Sequence, residues 1–226
     1  MEVCQTLVAE HPRVYVQTHI NENEQEIQTT KQLHKHTDHY ADIYHKSGLL
    51  TSRTVLAHNI HALDEEMQLF KDQDCRICHC PSSNNYLGSG LFPLQRHLDM
   101  QIPVFMGSDI GAGTHFSILG ELGEAYKVQQ LQHFTLGPDA LLWLGTLAGA
   151  EALHLEDKVG NFKPGKEADL VVLAPMGDDY LKRRFQHAID KEHALFALLN
   201  LAGARHVART VVAGKVVYRQ DIDNPD

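Results

Sequence analysis

The stretch VYVQTHINENEQEI, residues 14–27, begins with the residues of a strand and continues with those of a helix. Val14, Tyr15 and Val16 favour extended backbone, and the polar residues after Glu22 have the composition of a surface helix. His19 ends the predicted strand, and Glu22 follows three residues later. Two side chains suited to proton or metal chemistry therefore stand at the turn of a βα unit.

Three further segments repeat this order of strand and helix. The predicted strands are residues 54–58 (TVLAH), 75–80 (CRICHC) and 102–109 (IPVFMGSD). Between the third strand and the next helix, residues 81–90 (PSSNNYLGSG) are rich in turn formers and predict a loop. Helices are expected at residues 2–10, 22–35, 37–49, 64–71, 91–100, 116–133, 138–153 and 180–201. Successive βα units predict an α/β fold with parallel strands.

The ends of these strands carry the residues that suggest a site. His19, His58 and Asp109 end the first, second and fourth strands, and His79 lies just before the end of the third. In a βα barrel the active site is assembled at the carboxyl ends of several strands. Each residue also has a structural interpretation: a histidine in a turn, an aspartate that caps a turn, or, for Glu22, a carboxylate at a helix amino terminus. The repeated position favours an active site.

The composition is that of a soluble globular protein. Of 226 residues, 43% are hydrophobic and 22% are charged, and the net charge of −9 argues against nucleic-acid binding. No apolar run approaches the roughly 20 residues of a membrane span, and the first residues lack the pattern of a secretory signal. Four cysteines, three of them within residues 75–80, are too few and too clustered for a disulfide framework. We therefore expect a cytoplasmic protein without nucleic-acid or membrane partners.

Four motifs, in this order, resemble the amidohydrolase superfamily: QTHINENEQEI, LAHNIHAL, CHCPSSNNYLGSGLFPL and MGSDIGAGTHFSIL. Within it, residues 83–92 and the GSDIGAG motif resemble the guanine deaminase branch. The similarity extends over nearly the whole chain, including residues 159–173 and 209–218, which resemble the β-rich segment after the barrel. The resemblance implies a (β/α)8 TIM-type barrel that hydrolyses guanine to xanthine and ammonia, with one Zn²⁺ in each active site and a homodimer as the intact enzyme.

The same resemblance assigns roles to individual residues. His19 and Asp109 match the metal ligands of the fifth and eighth strands, and Asp109 also accepts a proton from the attacking water. His58 matches the sixth-strand histidine that lies beside that water. Glu22 matches the carboxylate that carries protons to the purine ring. His19, Glu22 and Asp109 are also expected to contact the substrate, while Glu22, His58 and Asp109 are the expected catalytic residues.

The chain departs from the family pattern at its start. The superfamily's first strand carries a His-x-His pair of zinc ligands, and no such pair precedes His19. The arginine-phenylalanine substrate motif of the fourth strand is also absent. We therefore expect the C-terminal half of the barrel at residues 1–155 and a β-rich appendage with a helix at residues 156–226. With two ligands from this chain, where three protein groups are usual, we expect weak metal binding and little or no activity from the chain alone.

Other interpretations remain at this stage. Cys75, Cys78, His79 and Cys80 have the spacing of a metal site, but they lie in a predicted buried strand, where alternation would put Cys78 and Cys80 on one face. The H-x-E and P-C-x-x-C signature of the nucleoside and nucleic-acid deaminases is missing. A related aminohydrolase acting on another purine, a pterin or a triazine is the alternative enzyme. A non-catalytic fragment that acts as an interaction piece is the alternative of another class.

Overall fold

The structure, a computed structural model, describes residues 1–175 and 177–220. Its first sheet has four parallel strands in the order β1-β2-β3-β4, which are Val16–Ile20, Thr54–His58, Arg76–His79 and Val104–Met106. The register places Ile20 opposite His58 and His79 opposite Met106. The carboxyl ends of neighbouring strands are therefore level, and the residues that follow them meet at one edge of the sheet. The predicted α/β fold with a parallel sheet is confirmed.

Helices lie between these strands and continue after the last. In the described part of the chain they are α1 (Glu2–Glu10), α2 (Glu24–Leu33), α3 (Tyr40–Lys46), α4 (Asp64–Asp72), α5 (Pro81–Leu87), α6 (Leu94–Asp99), α7 (Ile118–Leu131), α8 (Pro138–Leu144), α9 (Leu147–Ala152), α10 (Asp179–Gln186) and α11 (Lys191–Leu201). None of these helices combines the length and apolar character needed to cross a membrane.

The two faces of the parallel sheet differ in size and content. Leu56 and Ile77 point to the main core, which the helices cover. On the other face, Val55 and Ala57 pack with Cys78 and Cys80 in a small separate cluster. Cys78 and Cys80 share this face, as alternation predicted, and their Sγ atoms are 3.8 Å apart. This buried position agrees with their interpretation as core residues, and the contact with Cys78, together with burial, raises the pKa of the Cys80 thiol.

The predicted loop at residues 81–90 is wrong over most of its length, because residues 81–87 form α5. Pro81 occupies the first turn, where its missing N–H costs nothing, and Gly88 ends the helix with a left-handed φ of 69°. Two long predicted helices are each divided. Residues 138–153 form α8 and α9, and residues 180–201 contribute to α10 and α11.

A second sheet has three antiparallel strands: β5 (Leu170–Leu173), β6 (Val207–Val212) and β7 (Lys215–Arg219). It lies within the predicted β-rich segment, residues 156–226, of which residue 176 and residues 221–226 are outside the described residues. Between β5 and β6 the chain forms α10 and α11, and α11 packs on α7 and α8 beside the parallel sheet. The division of the chain at residue 155 stays a prediction.

Candidate active site

Three polar side chains meet at the carboxyl edge of the parallel sheet. His19, His58 and Asp109 each offer an atom that could bind a metal, and these atoms all lie within 4.8 Å of one another. Nε2 of His19 is 3.9 Å from Oδ1 of Asp109, and Nε2 of His58 is 3.8 Å from Oδ2 of the same carboxylate. His19 and His58 lie at the ends of β1 and β2. The fourth strand was predicted to end at Asp109, but β4 ends at Met106, and Asp109 follows three residues later in the loop. The parallel register brings the ends of these strands to one edge, where the three side chains meet.

The backbone leaves the sheet sharply at these positions. Asn21, His58, Asn59 and Asp109 all have positive φ, between 46° and 70°. By strand alternation His58 would share the face of Leu56 and point toward the helices. The left-handed backbone at His58 and Asn59 instead directs its ring toward the other site residues. Such a conformation costs non-glycine residues of order 1–3 kcal/mol, so the surrounding contacts must hold it.

A buried polar network supplies those contacts. Nδ2 of Asn21 donates to Oδ1 of Asn59 (3.3 Å) and to Oε2 of Glu66 (3.2 Å). Nδ2 of Asn59 donates to Nε2 of His97 (3.0 Å), and the backbone N–H of Asn59 donates to the carbonyl oxygen of Ile20 (2.9 Å). Asn21 and Asn59 are almost completely buried. The network ties the ends of β1 and β2 together directly behind His19 and His58.

Glu22 lies just before α2 rather than in its first turn. Asn23 is the residue that caps this helix, and the backbone N–H of Glu22 donates to Oε2 of Glu26 (2.8 Å). The side chain of Glu22 is therefore free to enter the site, where its Oε2 is 3.8 Å from Nε2 of His58. Its Oε1 accepts a hydrogen bond from Oγ of Ser89 (2.8 Å). The interpretation of Glu22 as an ordinary first-turn helix carboxylate is wrong.

One short segment of the chain contacts three of the site residues. We call residues 83–89, which are most of α5 and the turn after it, the α5 segment. Ser83 Oγ donates to Oδ2 of Asp109 (2.7 Å), and Asn84 Oδ1 is 2.8 Å from Nδ1 of His58. Ser89 completes the set through Glu22. None of these three residues was expected to act in the site, although all of them lie within residues 83–92, which resemble the guanine deaminase branch.

His79 does not join the site, although it ends β3. It is fully buried, and its ring stacks on that of Phe92 with centroids 4.3 Å apart; Phe92 in turn stacks on His97. Burial, together with the neighbouring imidazoles, lowers the pKa of His79 to about 3, and burial lowers that of His97 to about 4. Both rings are therefore neutral at physiological pH. His79 acts in packing, and His97 also accepts the hydrogen bond from Asn59.

The donors at the sheet edge fit a zinc ion. Zn²⁺ accepts imidazole nitrogen and carboxylate oxygen at about 2.0–2.2 Å, so two ligands of a tetrahedral ion are about 3.4 Å apart. The distances of His19 and His58 to the Asp109 carboxylate, 3.9 Å and 3.8 Å, are close to that separation. The His19 side chain is 57% exposed, which leaves one side of this group open. A metal here would have room for further ligands.

Comparison with known proteins finds several guanine deaminases that are similar to this chain. The chain is 43% identical over 226 residues to a probable guanine deaminase of Deinococcus radiodurans, covering 99% of this chain and 52% of the relative. It is 41% identical over 221 residues to the guanine deaminase of Escherichia coli, covering 98% of this chain and 50% of the relative. The solved structure of the E. coli enzyme superposes with a TM-score of 0.95 over 97% of this chain and 52% of that one.

A more distant structure has the same fold. The guanine deaminase of C. acetobutylicum, solved with guanine bound in its active site, is 29% identical and superposes with a TM-score of 0.85, covering 95% of this chain and 51% of that one. The chain thus spans about half the length of the relatives that it matches. The amidohydrolase family model matches residues 1–217, almost the entire chain. On that match, the chain belongs to the amidohydrolase family.

Proposed function

We propose that this chain provides the C-terminal half of a guanine deaminase, an enzyme that converts guanine and water to xanthine and ammonia. One observation carries the proposal. The chain aligns over nearly its full length with guanine deaminases at 41–43% identity. The convergence of His19, Glu22, His58 and Asp109 at one sheet edge agrees with that alignment. In this proposal the parallel sheet is four of the eight strands of a (β/α)8 barrel, and the β-rich segment from residue 156 is its appendage.

In this proposal His19 and Asp109 would hold one zinc ion, and His58 would lie beside the attacking water. Zinc would lower the pKa of a water bound to it, and that water would then supply the nucleophile near neutral pH. The carboxylate of Asp109 would accept one proton of the attacking water and pass it to the departing amine, and Glu22 would carry the other proton of that water to a ring nitrogen of the base. Its Oε2, 3.8 Å from Nε2 of His58, faces the centre of the site, as this role requires.

The side chains that would touch the substrate are His19, Glu22 and Asp109. They leave the sheet at the edge where a barrel binds its substrate. The net charge of −9 disfavours nucleic-acid partners, and we propose a cytoplasmic enzyme that is a homodimer when complete. Guanine itself is the proposed substrate because relatives at 41–43% identity are named guanine deaminases.

Ammonia release tests the proposal. The assay uses residues 1–226 produced together with the N-terminal half of the E. coli guanine deaminase, which we call the completed enzyme; the 226-residue chain alone is assayed beside it. We expect ammonia from guanine at a rate well above that from adenine or cytosine, with little or none from the chain alone. Comparable rates on cytosine, a pterin or a triazine would favour the related aminohydrolase. A completed enzyme that is folded and inactive on all of them would favour a non-catalytic role.

A further inference from the structure

Ser89 makes one contact that the proposed chemistry has not used. Its hydroxyl donates a hydrogen bond of 2.8 Å to Oε1 of Glu22, across 67 positions of sequence. Ser89 is 6% exposed, and the side chain of Glu22 is 16% exposed, so little water competes for this bond. Hydrogen bonds from a hydroxyl to a carboxylate are among the stronger ones in proteins.

The backbone of Ser89 is fixed on both sides. Its N–H donates to the carbonyl oxygen of Asn84 (2.9 Å), and its carbonyl oxygen accepts from Nε2 of His61 (2.7 Å). Gly90 follows with a φ of 135°, and a Cβ there would lie 3.2 Å from Nε2 of His61. A side chain at position 90 would thus be strained and would press on the imidazole that holds Ser89. The turn therefore holds the hydroxyl of Ser89 in a fixed position.

The bond makes the two oxygens of Glu22 different. With Oε1 occupied by the Ser89 hydroxyl, Oε2 is the oxygen that faces Nε2 of His58 at 3.8 Å. A carboxylate that could rotate freely would present either oxygen and would carry its proton on the wrong one part of the time. Ser89 therefore keeps Oε2 of Glu22, the oxygen that takes up and gives away the proton, directed into the site.

We propose that Ser89 is a positioning residue that orients Glu22 for proton transfer during deamination. The proposal rests on the proposed function, since Glu22 is the proton carrier only if the site is a deaminase. Ser89 touches the carboxylate and not the reacting atoms. Holding an acid in its productive orientation lowers the activation barrier without changing how tightly the substrate binds.

The central experiment is Ser89→Ala in the completed enzyme. We expect kcat for guanine to fall by about 10- to 100-fold, the loss that one hydrogen bond to a charged group predicts, while KM changes by less than about 3-fold. Ser89→Thr keeps the hydroxyl and is expected to recover most of the rate. An unchanged kcat in Ser89→Ala, with an active parent enzyme, would contradict the positioning role. An inactive parent enzyme would instead contradict the proposed function.

Ser82 provides a matched control in the same part of the chain. Its hydroxyl donates to Oε1 of Glu121 (2.6 Å), and it is 4% exposed, but that carboxylate lies outside the site. Ser82→Ala removes an equally buried bond between a hydroxyl and a carboxylate, so we expect lower thermal stability with kcat within about 3-fold of the parent. An equal loss of kcat in both alanine variants would show that Ser89 acts through stability alone.

A double-mutant cycle with Glu22→Gln remains informative where Ser89→Ala is poorly stable. If Ser89 acts through Glu22, adding Ser89→Ala to Glu22→Gln should reduce kcat, expressed per folded and zinc-loaded enzyme, by less than about 3-fold. Fully additive losses would overturn the proposal, because they would show that the two residues act independently.

Discussion

Oδ1 of Asn84 lies 2.8 Å from Nδ1 of His58, on the side of the ring that faces away from Glu22 and Asp109. An amide oxygen can only accept, so Nδ1 carries the ring proton and Nε2 presents its lone pair to the site. The His58 ring is almost completely buried, and water does not replace this partner. Asn84 therefore fixes both the orientation and the tautomer of His58.

Replacing Asn84 by alanine should release that ring. We expect kcat/KM for guanine in the completed enzyme to fall by about 10-fold or more, because a buried histidine donor loses its acceptor. Steady-state kinetics measure the loss. Asn85→Ala is the matched control, since Asn85 is exposed and its Nδ2 donates to Glu124 (3.1 Å) outside the site. Equal losses in the two variants would contradict a specific role for Asn84.

Glu22→Gln keeps the size of the side chain and the hydrogen-bonding partners but removes the ionisable group. General acid–base catalysis contributes roughly 10²–10⁴-fold, so we expect turnover of guanine to fall by at least about that much. Zinc content, measured by inductively coupled plasma mass spectrometry, should stay near that of the parent. If zinc is lost while the zinc-loaded fraction still turns over normally, Glu22 has a structural role instead.

Zinc binding should depend on His19 and Asp109. We expect His19→Ala and Asp109→Ala in the completed enzyme to reduce the zinc content to well below one ion per site, because each removes a proposed ligand. Chelation of the parent should lower its thermal unfolding midpoint, since a ligand that binds the native state stabilises it. His36→Ala, in the exposed segment between α2 and α3, is the control and should keep full zinc. Zinc retained in both ligand variants would disprove the assignment.

Acid should destabilise the fold through His79 and His97. Their folded pKa values, about 3 and about 4, lie below the ordinary value of 6.5, so the unfolded chain binds more protons throughout that interval. Stability therefore falls as the pH drops from about 6.5 towards 4, by up to about 1.4 kcal/mol per pH unit for each group. We expect His79→Leu to flatten the dependence of the thermal midpoint on pH. An unchanged slope would show that His79 is not one of the groups responsible.

The 226-residue chain alone should associate with itself. Within the described residues β1 pairs with β2 alone and β4 with β3 alone, so each leaves one edge of the parallel sheet unpaired. Helix α1 has no buried residue, and Val3 and Leu7 on it are exposed. Unpaired edges and exposed apolar surface both promote association. Analytical ultracentrifugation should show oligomers or aggregates, and a monodisperse monomer that deaminates guanine would contradict this expectation.

The strands and the strand-end residues were predictable because their signals are local. β-branched and apolar residues bounded by helical segments and turns mark β1 and β2, and a parallel sheet brings His19, His58 and Asp109 to one edge. The amidohydrolase resemblance was confirmed by the family match over residues 1–217. Glu22 was named from that resemblance. Its position before α2 could have been predicted from Asn23 and Glu26, which have the spacing of a capping box, but the predicted helix began at residue 22.

The supporting residues could not be found in the same way. Turn-forming residues in PSSNNYLGSG gave the wrong secondary structure, because Pro81 begins a helix and Gly88 ends one. The contacts of Ser83, Asn84 and Ser89 join residues 26 to 67 positions apart, and nothing in local periodicity reports such pairs. The buried pair of Asn21 and Asn59 was missed for the same reason.

The α5 segment has a consequence for how this site tolerates change. Because residues 83–89 contact Asp109, His58 and Glu22 at once, a deletion, insertion or register slip in this one short stretch disturbs all three together. A map of mutational tolerance along the chain should therefore show one narrow region of low tolerance in the α5 segment. Its tolerance should be as low as that of the strand ends that carry the site residues. Exchanging residues 83–89 between relatives would exchange the hydrogen bonds to Asp109, His58 and Glu22 together.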